Sequence, residues 1–320
     1  MNQFSLDNHA ASFLPEGKQW KLVWHDEFDG TELDTTKWDF RRNFWGKPFP
    51  AFTDQGIELD GKSSLRINLV KNPDGTYSSA HLQTGSLSYD IPKDCGGFWP
   101  FGKMEEPKFM HTFGYYEIRC RQPKCEGWHS AFWLQASGIG SHPDARFAGV
   151  ECDIMENYRQ HTEKRIIGGN IWGGYGCNCK GSGHFSWEYK ETEDGWHYYG
   201  VDWSPSGYDF YADGRLIGRV VSPERAAEVH VEKEIEGENW LKEGSVSIGP
   251  VSHVPQFILV STECHGYRST GVCDPVLAKA VLPDYFEVDH VRVFDDVNLK
   301  HSFSAAGNAS GSDEQPVFMF

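Results

Sequence analysis

The stretch "YDFYADGRLIGRVV" (Tyr208–Val221) decides the fold class, because two runs of alternating character flank "ADG", a turn signal of β-hairpins. Similar short runs, separated by Gly, Pro, Asp and Asn, are "SLRINLV" (Ser64–Val70), "GYYEIRCRQ" (Gly114–Gln122), "WHYYGVDWS" (Trp196–Ser204), "QFILVSTE" (Gln256–Glu263) and "YFEVDHVRVFD" (Tyr285–Asp295). Helical periodicity is confined to the short segment Ser222–Glu234. Many strands without intervening helices predict an all-β sandwich or barrel.

The domain organisation follows from length and composition. A chain of 320 residues fits one large all-β domain or two smaller ones. Residues 1–300 contain no internal repeat and no Pro/Ser-rich linker, so we interpret them as a single catalytic domain. Residues 301–320 are rich in Ser, Gly and Ala and are predicted to form a disordered C-terminal tail.

Charge and hydropathy narrow the partners. The formal net charge of −16 argues against nucleic acid, which needs a cationic face, and favours a neutral substrate. No stretch approaches the roughly 18 apolar residues of a membrane span, so we predict no membrane partner. Residues 1–20 contain no apolar signal-peptide core, which predicts a cytoplasmic protein if the chain is complete and a secreted one if a signal was removed. We expect a monomer.

Three carboxylates interrupt the apolar stretch "VECDIMENYR" (Val150–Arg159). On a strand, Glu151 and Asp153 share one face, whereas the odd offset of Glu156 would send it to the other. A row of acids on a strand is typical of a solvated face, and three acids also suit a calcium ion. Spacing alone leaves these alternatives open.

A β-bulge at Ile154 or Met155 would return Glu156 to the face of the other two acids. Two long Glu side chains leaning inward from this row would bring their carboxyls to about 5 Å, the separation expected of a retaining glycosidase. In that interpretation Glu151 is the nucleophile, Glu156 is the acid and base, and Asp153 hydrogen-bonds one or both.

"ECDIME" matches the signature Glu-x-Asp-x-x-Glu of the family-16 glycoside hydrolases, and the chain resembles that family in order over further blocks. These blocks are "WHDEFDGTELDTTKW", "FGYYEIRCRQP", "AFWLQ", "WHYYGVDWSPSGYDFYADG" and "FEVDHVRVFD". The resemblance implies a β-jelly-roll sandwich of two antiparallel sheets with a concave substrate cleft, and the roles given above for Glu151, Asp153 and Glu156. It implies no cofactor for catalysis. It also implies a structural calcium at Glu27 and Asp289, which surface turn acids would explain equally well.

Several candidate sugar contacts come from the same resemblance. Family members that cleave β-1,3-glucans read Trp-Pro-Ala-(Phe/Ile)-Trp where this chain reads "HSAFW", so His129 takes the place of the first stacking Trp and shares a face with Trp133. His129 is then either a sugar contact or a wall residue. Trp172 follows the acids at a place where many relatives carry a His, and Glu263 lies on a strand whose register the sequence leaves open.

The aromatic early loop "RRNFWGKPFPAF" (Arg41–Phe52) resembles the rim of the family's sugar-binding subsites. Asn43 and Trp45 are the candidate contacts there, with core packing as the alternative for Trp45. The predicted function is retaining hydrolysis of a β-linked polysaccharide or oligosaccharide, with β-1,3- or mixed-linked glucan ahead of a β-galactan hydrolase or a transglycosylase. A non-catalytic glycan-binding module is the other class, and the presence of all three acids favours the enzyme.

Overall fold

The computed structural model describes residues 1–44, 47–48, 52–85, 106–158, 164–188, 192–228, 235–236 and 240–299. The candidate sugar contact Trp45 and the predicted tail 301–320 lie outside this set. No helix of the described part is long and apolar enough to cross a membrane.

The described residues are almost entirely β-structure. The strands of the first part are β1 (Asn2–Phe4), β2 (Ser12–Leu14), β3 (Trp20–Asp26), β4 (Asp39–Phe40), β5 (Asn43–Phe44), β6 (Lys47–Pro48), β7 (Ile57–Leu59), β8 (Leu65–Asn68), β9 (Val70–Lys71), β10 (Tyr77–Ser78) and β11 (His81–Gln83). The middle part contains β12 (Gly114–Arg121), β13 (Trp128–Gln135), β14 (Glu151–Tyr158), β15 (Lys164–Ile167), β16 (Asn170–Trp172), β17 (Lys180–Gly181) and β18 (His184–Glu188). The last part contains β19 (His197–Ser204), β20 (Gly207–Ala212), β21 (Arg215–Val221), β22 (Ile235–Glu236), β23 (Trp240–Leu241), β24 (Val246–Ile248), β25 (Phe257–Cys264) and β26 (Tyr285–Asp296).

Helices are few and short in the same residues. They are α1 (Ala145–Ala148), α2 (Pro223–Ala226), α3 (Tyr267–Thr270) and a 3₁₀ helix at Pro275–Lys279. In the described part of Ser222–Glu234, residues 222–228, the helical pattern forms α2, whose first turn is capped by the Ser222 hydroxyl accepting from the Arg225 N–H. Residues 229–234 lie outside the described set.

Two large sheets contain most of these strands. The front sheet has the order β22-β23-β18-β15-β14-β13-β25-β11-β4, with β16 and β17 beside β14. The back sheet has the order β24-β21-β20-β19-β12-β26-β8-β7, with β3 beside β26. Pairing is antiparallel except for β18 with β23 and β21 with β24, which are parallel. The sandwich of two antiparallel sheets is confirmed, and these two short pairs are the parallel exceptions among the described strands.

One hydrophobic core lies between the sheets. Phe132 and Leu134 of the front sheet belong to the same buried cluster as Ile118, Val201 and Val291 of the back sheet. The alternation that predicted these strands therefore has a physical cause, since every second side chain enters this shared core. The all-β sandwich predicted from the sequence is confirmed.

The N-terminal hairpin β1–β2 is tied to the outer face of the back sheet, the face turned away from the core. Arg292 donates to both carboxylate oxygens of Glu27, at 2.8 and 2.6 Å, and to the Ser12 hydroxyl at 2.8 Å. The Phe13 N–H donates to Glu117 Oε2 at 3.0 Å. The hairpin thus joins a set of buried charges on this face.

Candidate active site

The three carboxylates of β14 lie on one face of the front sheet because the strand contains a bulge. Trp133 of β13 pairs with Asp153, and the preceding residue Phe132 pairs with Met155, so Ile154 is the additional residue. Ile154 and Met155 are both fully buried in the core. The predicted bulge at Ile154 is confirmed. The side of β14 that points away from the core and carries Glu151, Asp153 and Glu156 is called the acid-bearing face.

Burial differs among the three acids. Asp153 is 5% and Glu156 8% exposed, while Glu151 is half-buried. The Asp153 N–H donates to the Gly169 carbonyl at 2.8 Å, which ties the bulged strand to the segment that follows β15. The acids therefore project from the middle of a sheet with strands on both sides, which holds their backbone in place.

A chain of hydrogen bonds holds Glu151. The Tyr175 hydroxyl donates to Glu151 Oε2, and Gln135 Nε2 lies 3.4 Å from the same oxygen and also donates to the Tyr175 hydroxyl. The buried Arg41 donates to Gln135 Oε1 at 3.0 Å, which orients the amide so that its NH₂ group points to Glu151. Neutral donors thus stabilise an ionised Glu151.

Imidazole rings lie beside Glu156. His129 Nε2 is 3.2 Å from Glu156 Oε1. One oxygen of Asp153, one oxygen of Glu156 and one ring nitrogen of His184 lie within 4.8 Å of one another. Glu156 therefore lies beside a carboxyl group and two imidazoles, which can exchange hydrogen bonds with a general acid and base.

Trp133 also reaches the acid-bearing face. Its indole N–H donates to the Ser261 hydroxyl at 2.9 Å, and its ring is 7% exposed. The Arg41 guanidinium lies 5.4 Å from the ring centroid. The Ser261 hydroxyl thus fixes the indole N–H of Trp133, and the Arg41 cation lies close to its ring, on the same face of the sheet as the acids.

The register of β25 decides the position of Glu263. Glu263 pairs directly with His129, so both side chains point to the acid-bearing face. Glu263 is 6% exposed. The question that the sequence left open is answered, and Glu263 lies on the same face as the three acids.

The expectation for Trp172 needs correction. Asn170 pairs with Cys152 and Ile171 with Glu151, so Trp172 points to the core side of the front sheet. It is half-buried and packs against the main hydrophobic cluster. Its position argues against a sugar contact, because the pairing of β16 with β14 turns the ring away from the acids.

The early loop is described in part. Asn43 starts β5, which pairs with β6 so that Asn43 lies opposite Pro48. Trp45 lies outside the described residues.

The calcium site expected at Glu27 and Asp289 does not fit the structure. Both oxygens of Glu27 accept from Arg292, and Asp289 Oδ2 accepts from Arg119 Nη1 at 3.0 Å and lies 3.1 Å from His290 Nδ1. Burial raises the pKa of Glu27, but hydrogen bonds from Arg292 and His25 and the Arg292 charge lower it to about 2. The two acids pair with cations of the protein, which makes them poor ligands for a calcium ion.

Four residues of the site escaped sequence reasoning. They are Arg41, Gln135, Tyr175 and His184. Gln135 continues the alternation His129, Ala131, Trp133 on β13, so the strand pattern could have identified it. The other three come from distant segments, and the sequence contains no local signal for them.

Known proteins resemble this chain over much of its length. The family model "Glycosyl hydrolases family 16" matches residues 61–236, which include the three acids. Glucan endo-1,3-beta-glucosidase A1 of Niallia circulans is 24% identical over 283 residues, covering 86% of this chain and 38% of that protein. Beta-porphyranase E of Zobellia galactanivorans is 30% identical over 150 residues, covering 44% of each. The chain spans less than half the length of these two curated relatives.

A solved structure shows the same fold. The catalytic domain of an endo-1,3-beta-glucanase (laminarinase) from Thermotoga petrophila RKU-1 superimposes with a TM-score of 0.57 at 22% identity, covering 88% of this chain and all of that one. The family model covers more than half of the sequence and contains the bulged strand with its three carboxylates. This chain therefore belongs to the glycosyl hydrolases of family 16.

Proposed function

We propose that this chain hydrolyses β-linked glycans by double displacement, with retention of configuration. Glu151 attacks the anomeric carbon while Glu156 protonates the leaving oxygen, and Glu156 then removes a proton from the water that releases the sugar. The observation that carries the proposal is the bulge at Ile154, which puts all three acids on one face. If the acids only formed a solvated face, the strand would not require a bulge and the acids would be exposed, whereas Asp153 and Glu156 are buried.

The surroundings of the two glutamates support different roles. Glu151 accepts hydrogen bonds from Tyr175 and Gln135, which favour its ionised form and suit a nucleophile. Glu156 is buried beside Asp153 and His129. A carboxyl group with a neighbouring carboxylate and an imidazole suits a residue that gains and loses a proton in each cycle.

The substrate that we propose is a β-1,3- or mixed-linked glucan. The relative from Niallia circulans, named as a glucan endo-1,3-beta-glucosidase, is similar to 86% of this chain. A β-galactan is the second candidate. It is favoured by the 30% identity to the porphyranase of Zobellia galactanivorans and by His129 in place of a stacking Trp. Transfer of the covalent intermediate to a sugar instead of water is a kinetic variant of either.

Product analysis on β-1,3-glucan, mixed-linkage glucan and agarose-type galactans tests the proposal. We expect defined oligosaccharides from one of them, and a loss of at least about 10⁴-fold in turnover for Glu151→Gln. Glu58→Gln, an exposed acid of β7, is the matched control and should retain full turnover. Turnover by Glu151→Gln equal to that of the control would contradict the assigned nucleophile.

The anomer formed first tests the stereochemistry independently. Proton NMR of a fresh digest should show the β-anomer before mutarotation, because two displacements restore the starting configuration. An initial α-anomer would mean a single displacement, with Glu151 activating water directly.

The oligomeric state stays a prediction. We propose that the protein acts as a monomer, because the three acids that carry the chemistry lie on a single strand. Light scattering during size-exclusion chromatography would measure the mass directly, and a dimer at assay concentrations would contradict this prediction.

A further inference from the structure

Donor atoms suited to a metal ion meet beside Glu156. One oxygen each of Asp153 and Glu156 and one nitrogen of His184 lie within 4.8 Å of one another, and no other such group of three His, Cys, Asp or Glu occurs among the described residues. A zinc ion binds nitrogen and oxygen donors at about 2.0–2.2 Å, so donors that share it lie within about 4 Å of one another. Side-chain shifts of about 1 Å would close this set around an ion.

The three donors are held by well-packed backbone. Asp153 and Glu156 are buried on β14, in the middle of the front sheet. His184 starts β18 and packs against Gly169, where a Cβ atom would lie 2.5 Å from His184 Nδ1. Only glycine permits this close approach, and Gly169 also accepts the hydrogen bond from the Asp153 N–H. The positions of His184 and Asp153 are thus linked through one residue.

The donor types select the class of ion. Calcium and magnesium prefer six or more oxygen ligands, whereas imidazole with carboxylate suits zinc, copper and nickel. His129 Nε2 lies 3.2 Å from Glu156 Oε1 but outside the group of three donors that are mutually within 4.8 Å. One imidazole and two carboxylates, with a water in the fourth position, match an open tetrahedral zinc site.

We propose that Asp153, Glu156 and His184 bind one divalent transition-metal ion of the zinc class, and that this ion inhibits the enzyme. The binding itself does not depend on the proposed function. The inhibition rests on it, because a Glu156 carboxylate bound to a metal cannot deliver a proton to the leaving oxygen.

Calorimetric titration with zinc chloride tests the binding without any need for turnover. All proteins carry Cys177→Ser and Cys179→Ser, because these exposed thiols would otherwise bind zinc themselves. All also carry Glu151→Gln, which removes turnover and leaves the three donors intact. We expect one site of about micromolar affinity, weakened at least about tenfold by His184→Gln and by Asp153→Asn. His142→Gln, an exposed histidine outside the set, should change nothing.

Equal affinities for His184→Gln and His142→Gln would overturn the proposal, as would the lack of a binding signal up to about 1 mM zinc. A thermal unfolding scan of each variant shows whether the fold is retained, and Asp153→Asn provides the second reading if His184→Gln does not fold. In the protein with Glu151 restored, zinc should inhibit hydrolysis and EDTA should reverse the inhibition. Zinc binding in a protein that cleaves no glycan would contradict the proposed function and leave the metal site standing. Hydrolysis that zinc does not inhibit would contradict the proposed inhibition and leave the proposed function standing.

Discussion

The outer face of the back sheet and the acid-bearing face of the front sheet both bury carboxylates, but they surround them with different groups. On the outer face, Glu27 pairs with Arg292 and Asp289 with Arg119. On the acid-bearing face, the contacts described for Glu151 come from a phenol and an amide, and Glu156 lies beside imidazoles. Guanidinium groups thus bind the acids of the outer face directly, together with His25 and His290, whereas the contacts described for the acids of the other face come from a phenol, an amide and imidazoles.

This difference decides which carboxyl groups can gain and lose a proton during a reaction. A carboxylate held by a guanidinium stays ionised at every pH at which the protein works, so it can stabilise the fold but cannot carry a proton. A carboxyl group beside imidazole, phenol and another carboxyl can change its protonation during a reaction. Burial alone does not distinguish the two kinds, since Glu27 and Asp153 are both 5% exposed.

Removing one acid from the outer face tests most directly whether the acids of that face serve stability and not catalysis. Glu27→Gln leaves the buried Arg292 without its counter-charge, so we expect the free energy of unfolding to fall by about 3 kcal/mol. Turnover per folded molecule should not change. Urea unfolding measures the first quantity and product release the second. Reduced turnover with unchanged stability would mean that the outer face takes part in function.

The converse substitution acts on the acid-bearing face. Asp153→Asn removes a negative charge between the two glutamates, and we expect turnover to fall about a hundredfold and the pH optimum to move to lower pH. The free energy of unfolding should change by less than about 1 kcal/mol, because the amide has the same shape. The dependence of kcat on pH is the decisive measurement. An unshifted profile would mean that Asp153 only supports the strand.

A smaller effect is expected for Tyr175, which contacts the nucleophile Glu151. Tyr175→Phe keeps the ring and removes the hydroxyl that donates to Glu151, so kcat/KM should fall about tenfold. Stability should not change. Parallel assays of kcat/KM and thermal unfolding separate the two, and equal activity in the phenylalanine variant would show that Gln135 is sufficient to orient Glu151.

The last prediction concerns how the stability depends on pH in acid. The pKa of Glu27 is about 2 in the folded protein against an ordinary value of 4.5, so its contribution to stability is complete above pH 4.5 and is lost as the pH falls toward 2. Over that window the stability of wild type should fall more steeply than that of Glu27→Gln, by up to about 1.4 kcal/mol per pH unit. Urea unfolding at a series of pH values gives both slopes. Parallel curves would mean that Arg292 does not hold the charge of Glu27.

Local patterns in the sequence were sufficient to predict much of the fold. The "ADG" turn joins β20 to β21 as expected, with Asp213 and Gly214 at φ values of 47° and 74°, the left-handed conformation of a tight hairpin turn. The bulge at Ile154 was predictable because Glu156 lies at an odd offset from Asp153. Both features depend on a few consecutive residues and a period of two.

The rest of the site depends on pairing between distant segments. Tyr175 lies 24 residues from Glu151, and His184 reaches Asp153 from another strand, so no nearby spacing connects them. The orientation of Trp172 failed for the same reason, because the pairing of Asn170 with Cys152 decides its face. Register between strands is a property of the assembled sheet, and a single sequence leaves it open.

The bulge at Ile154 has a consequence for how β14 tolerates change. Because faces alternate with a period of two, the side of the sheet that each acid occupies depends on the number of paired residues before it, and the bulge leaves Ile154 out of that number for Glu156. Replacing Ile154 with another apolar residue alters packing and leaves the count intact. Deleting Ile154 would remove the unpaired residue and the bulge together, leaving Glu156 at an even offset from Asp153 and all three acids on one face. The arrangement of the acids therefore depends on how many residues separate Asp153 from Glu156, and not only on which residues they are.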